Sequence, residues 1–64
     1  MKVAIEIVNG TVDSVYAEER CEVVIIHRDE LAEGTLPDGD QGYASIWDAW
    51  VDAEAVREAF GLAD

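Results

Sequence analysis

A chain of 64 residues and 7.0 kDa buries only about 60% of the surface its unfolded form exposes, which leaves room for one thin core and argues against a second domain within this length. Half of its residues are apolar, so it is expected to fold rather than stay disordered. Fifteen Asp and Glu against four Lys and Arg give a formal net charge of −11, which argues against nucleic acid or an anionic membrane as a direct ligand and leaves either an ordinary soluble acidic domain or a surface aimed at a basic one.

No run of eighteen apolar residues is present, and Met1, Lys2, Val3, Ala4, Ile5 and Glu6 lack the charged-then-apolar layout of a signal peptide. The single cysteine, Cys21, has no internal disulfide partner, as suits a reducing compartment. The expected location is the cytoplasm.

A first strand is expected at about residues 2–8, where Val3, Ile5 and Ile7 alternate with Ala4 and Glu6. Asn9-Gly10 supplies both positive-φ positions of a type I′ turn and leads into a second strand at 11–17, which makes a hairpin. Alternation in this second run is imperfect. Val12, Ser14 and Tyr16 share one face and Val15 and Ala17 the other, which requires two partly apolar faces or a bulge. After a turn at Glu18, Glu19 and Arg20, a third strand at 22–28 carries Val23, Val24, Ile25 and Ile26 in succession, a pattern that suits a strand covered on both faces. The simplest topology is a three-stranded antiparallel meander.

Residues 29–42 hold three glycines, the only proline and five acids, and read as an acidic loop. Ser45 with Asp48 forms a capping box that starts a helix over 46–60, with Gly61 as its stop. At about 100° per residue, Ile46, Ala49, Trp50, Ala53, Val56 and Phe60 fall on one stripe fit to pack on the sheet. The alternative is a break, with Asp52 capping a shorter helix. The expected fold class is therefore α+β: three antiparallel strands, an acidic loop and one C-terminal helix.

Signals for chemistry are weak. Cys21 and His27, the only thiol and imidazole, sit roughly 20 Å apart along a strand and cannot form a nucleophile–base dyad. Asp38-Gly39-Asp40 opens like a calcium loop, but the pattern then puts Gly42, Tyr43 and Ala49 where a third ligand, a glycine and a clamping Glu are needed. No Gly-rich phosphate loop is present. A small metal-binding or hydrolytic protein is the weakest reading; the expectation is no enzyme, no cofactor and no metal.

Charge is more informative. Residues 1–28 carry five acids against three bases, whereas residues 29–64 carry ten acids against Arg57 alone. Asp48 and Asp52, and likewise Glu54 and Glu58, stand four apart on the expected helix, where like charges repel by a few tenths of a kcal/mol per pair. A basic partner would relieve that repulsion; solvated positions that keep a small domain soluble are the competing reading. Trp47 and Val51 fall off the apolar stripe among these acids, as an interface anchor does. Trp47 covering the sheet edge or Leu36 is the competing account. The candidate partner-binding set is Asp38, Asp40, Trp47, Asp48, Val51, Asp52, Glu54 and Glu58, on a monomer or homodimer.

The segment with Val8-Asn9-Gly10, Val12, Ser14-Val15-Tyr16-Ala17-Glu18 and Val23-Val24-Ile25-Ile26-His27-Arg28-Asp29 resembles a group of very small proteins encoded by bacteria, phages and plasmids. Their pattern is a strand, a Gly turn, a V-x-x-V-Y-A-D/E strand and a V-x-V-I-D-x-D strand; His27 replaces an acid of that pattern. In size and charge the chain also resembles small acidic phage proteins that block bacterial defence, among them anti-CRISPR proteins and anti-restriction DNA mimics. That resemblance implies a stoichiometric inhibitor whose carboxylates stand in for phosphates on a basic nucleic-acid-binding protein or CRISPR effector complex in the host cytoplasm. An antitoxin or accessory module holding a basic partner is the alternative.

Overall fold

In the computed structural model, which describes residues 1–63, Asn9 at φ 50° and Gly10 at φ 80° make the tight turn between β1 (Val3–Val8) and β2 (Thr11–Ala17). The two strands run antiparallel from Val3↔Ala17 to Glu6↔Ser14, and then Ile7 pairs with Val12, so Asp13 is an extra residue. This bulge shifts the phase of β2 by one position. Val12 on one side of it and Val15 and Ala17 on the other are consequently all buried, which accounts for the imperfect alternation.

The rest of the chain forms β3 (Glu22–Arg28), β4 (Gly42–Asp48), β5 (Trp50–Val51) and α1 (Ala53–Ala63). The fold is α+β, but the sheets differ from the expected meander. β3 does not join β2; it pairs with β4 in a separate two-stranded antiparallel sheet, in unbroken register from Glu22↔Asp48 to Arg28↔Gly42. The third strand of the first sheet is β5, which runs parallel to β2 through Tyr16↔Trp50 and Ala17↔Val51, so that sheet is mixed.

The helix expected over 46–60 is corrected as well: residues 46–51 are almost all strand. Ile46 and Trp47 are β-formers, and seven cross-strand pairs with β3 outweigh the weak propensity of one extra helical turn. Ser45 caps nothing; its hydroxyl accepts a hydrogen bond from Trp47 Nε1 at 3.0 Å. Asp52 is the N-cap, its Oδ1 taking the Ala55 N–H at 3.0 Å, which is the broken-helix alternative. At the other end α1 runs through Gly61 to Ala63 instead of stopping there.

α1 packs on β1 and β2, and Val56, 1% exposed, is the largest fully buried side chain among the described residues. The core lies there, with Val12, Val15 and Ala17 of β2; Leu36 is buried in the segment between β3 and β4. Within the strands β3 and β4 only Gly42 is buried. The molecule measures 38 × 23 × 16 Å with a radius of gyration of 13.6 Å, well above the roughly 10.7 Å of a compact chain of this length.

Between β3 and β4 the loop closes on itself. Gly42 N–H donates to Gly34 O at 2.9 Å, Leu36 N–H to Asp40 O at 2.8 Å, and Asp29 N–H to Gln41 O at 3.2 Å. Gly42 has φ 151°, and a Cβ there would collide with the His27 carbonyl. Gly42→Ala is expected to destabilise the protein by roughly 3 kcal/mol, read as a lowered urea midpoint with loss of the stacked His27–Tyr43 pair across the strands.

Candidate partner-binding site

The bulge in β2, the end of β4 and the parallel pairing of β5 meet in one place. There Asp13, Ser14, Val15 and Tyr16 face Trp47, Asp48, Trp50 and Asp52 across a groove of about 470 Å³. Trp50 is 71% exposed beside its cross-strand partner Tyr16. Among the described residues three carboxylates and no cationic side chain line the groove. Asp13 is the bulged residue, its Oδ2 accepting from the Ser14 hydroxyl at 2.8 Å. Asp52 is fixed by its capping bond, so its charge sits at the helix N-terminus, where the macrodipole favours it.

Such a lining suits a cation. A guanidinium or ammonium stacks on an indole or phenol face while neighbouring carboxylates accept its N–H groups.

Of the residues singled out in the sequence, Trp47, Asp48 and Asp52 come together here, though on a strand end and a cap and not on a helix face. The two tryptophans exchange the places the helical wheel gives them. Trp47 is half-buried with its indole N–H satisfied, and Trp50, assigned to the core stripe, is the exposed one, because strand geometry governs both. Val51 is half-exposed on β5 opposite Ala17 and does not line the groove. Glu54 lies on the helix surface 3.9 Å from Arg57, and Glu58 lines a neighbouring groove against Ala4, Ile5 and Tyr16.

Asp38 and Asp40 are not part of the site. Both carboxylates sit 2.9 Å from Arg28 Nη1. Arg28 and Asp48 mark opposite ends of the β3–β4 hairpin, about 20 Å apart. The Asp40 backbone N–H and then the Arg28 guanidinium hold the Asp38 carboxyl below the usual carboxylate range. These acids therefore fasten the loop to the strand, and the acidic half of the sequence is two separated surfaces.

Asp13 and Trp50 have no place in the candidate set read from the sequence. The broken alternation of β2 is the signal that points to Asp13; nothing local reveals that β5 sets Trp50 beside Tyr16.

Among the described residues no group of three or more His, Cys, Asp or Glu is placed to hold a metal ion, and no helix is long and apolar enough to cross a membrane. The chain matches no family model, no curated protein and no solved structure.

Proposed function

We propose that this small acidic protein binds and inhibits a nucleic-acid-handling complex of bacterial defence, a CRISPR effector above all, in the cytoplasm of the bacterial host. It acts as a stoichiometric ligand, without catalysis or cofactor, by covering a surface lined with Lys and Arg. The observation that carries this reading is the groove in which Trp50 and Tyr16 stand among Asp13, Asp48 and Asp52. Carboxylates spaced over such a surface take the places of phosphates, and the aromatic pair supplies the contact area that charge alone lacks. A net charge of −11 steers the protein toward a basic channel.

The test is a phage challenge of bacteria carrying CRISPR systems of several types, with and without this protein. Plaque numbers are expected to recover by orders of magnitude in one type. The proposal is overturned by no recovery in any type, together with low-salt capture from lysate that recovers no nucleic-acid-binding protein. Recovery of a basic toxin instead would establish the antitoxin alternative.

A further inference from the structure

Asn9 is the only asparagine of the chain, and Gly10 follows it. Both are exposed at the tip of the β1–β2 hairpin, with φ 50° and 80°, and the space beside Gly10 is open to 4 Å. Among the described residues no hydrogen bond holds the Asn9 carboxamide or the Gly10 N–H.

The turn has a second form within reach. Two-residue hairpin loops use types I′ and II′ because both match the twist of the flanking strands. The two forms differ by a flip of the central peptide: φ of the first residue stays positive while its ψ turns to about −120°, and φ of the second residue changes from positive to negative. Asn9 already has the φ that both forms require, and Gly10, lacking Cβ, crosses from one sign of φ to the other without steric cost. The pairs Val8↔Thr11 and Ile7↔Val12 need not part for the flip. In the flipped form the Gly10 nitrogen lies against Cγ of Asn9, so that the two groups react as parts of one molecule held in position.

We infer that Asn9 is a site of self-modification, at which the turn deamidates to aspartate and isoaspartate while the rest of the fold stays closed. The Gly10 nitrogen bonds to Cγ, the bond from Cγ to the side-chain nitrogen breaks, and that nitrogen leaves as ammonia with the Gly10 amide proton, which closes a five-membered succinimide. Water then opens the ring. Attack at Cγ leaves an ordinary aspartyl residue, and attack at the backbone carbonyl leaves Gly10 joined through the side-chain carbon, an isoaspartyl link. Water is the only co-reactant. Either product adds one negative charge to the −11 of the chain. The isoaspartyl link also lengthens the main chain by one methylene in a turn of only two residues, so the adjoining pairs loosen and Val12, buried beside the bulge, loses part of its cover.

The test follows the full chain in mildly alkaline and mildly acidic buffer by mass spectrometry of the tryptic peptide from Val3 to Arg20. The peptide should gain about 1 Da, the difference between a carboxyl and a carboxamide. The gain should be at least about tenfold faster in the alkaline buffer, since the attacking nitrogen must give up its proton. Isoaspartyl methyltransferase should label part of the product, and the isoaspartyl fraction, once separated, should unfold at a lower urea concentration than the unmodified chain. Asn9→Gly accepts both positive φ values at no steric cost and should stay folded and unmodified. Val56→Ala separates the turn flip from global unfolding: it enlarges the unfolded population by roughly tenfold or more, yet should change the rate by less than about twofold. The phage challenge bears on none of these results. An unchanged mass over several weeks in alkaline buffer, a gain that persists in Asn9→Gly, or a rate that climbs with the unfolded population of Val56→Ala would overturn the inference.

Discussion

Trp50→Ala is expected to weaken binding to the target complex by about thirtyfold or more while leaving the fold intact. A tryptophan that anchors an interface is worth about 2 kcal/mol or more on truncation, and its loss appears chiefly as faster dissociation. Because Trp50 is 71% exposed, little internal packing is removed with it. The carboxylates act differently. Asp13→Lys with Asp48→Lys should slow association about ten- to a hundredfold at low salt and flatten its salt dependence, since rim charges work through steering. Asp52 has to be replaced by Ser rather than Lys, because its side chain caps α1. Reversing Asp38 and Asp40, which lie on Arg28 at the far end of the hairpin, should change association far less. Surface plasmon resonance on the complex identified by the phage challenge reads all four. Equal effects from the groove pair and the Arg28 pair would mean that diffuse charge, and not the groove, makes the contact.

Val56→Asp is expected to unfold the protein at 25 °C. A domain of this size is held by only about 3–10 kcal/mol. An unpaired carboxylate at a site 1% exposed, with no cation beside it in the core, costs several kcal/mol and also removes the packing of α1 on β1 and β2. Val56→Ala, which creates only a small cavity, should cost roughly 1–3 kcal/mol and leave a measurable transition. The contrast to run beside it is Val24→Asp. At a position 58% exposed it should leave the core fold intact. Far-UV circular dichroism with urea titration decides; a Val56→Asp chain that still unfolds cooperatively would place the core elsewhere.

What the sequence discloses and what it withholds follow from the range of the interactions involved. The Asn9-Gly10 hairpin is legible because the turn is written in two residues whose backbone angles are special. The broken alternation of β2 narrows the strand to two partly apolar faces or a bulge for the same local reason, and the pairing with β1 settles it as a bulge at Asp13. Residues 46–51 mislead because apolar positions 46, 47, 49, 50 and 51 fit a helix or a strand, and Ser45 with Asp48 imitates a cap. The decision belongs to β3, whose seven pairs with β4 are invisible in any short window. The meander fails likewise: β3 follows β2 in sequence, yet the place beside β2 is taken by β5. Of the candidate site, acidity and the involvement of Trp47, Asp48 and Asp52 are readable. The exposure of Trp50 is not, since it depends on which strand β5 joins.

The parallel pairing of β2 with β5 has a kinetic consequence. Hairpins β1–β2 and β3–β4 each close within a contiguous stretch of chain, on the microsecond scale of local events. Tyr16↔Trp50 closes across the whole β3–β4 segment, and the Asp52 N–H to Ala17 O bond of 3.0 Å, which ties the start of α1 to β2, belongs to the same closure. The groove is thus built by a long-range closure and not by a local turn. Opening this seam would uncover Val56 and Ala17, so β5 and α1 are expected to separate from β2 only when the core itself opens. A partner seated on Trp50 would hold that seam shut, so the proposed recognition surface doubles as a clasp of the fold.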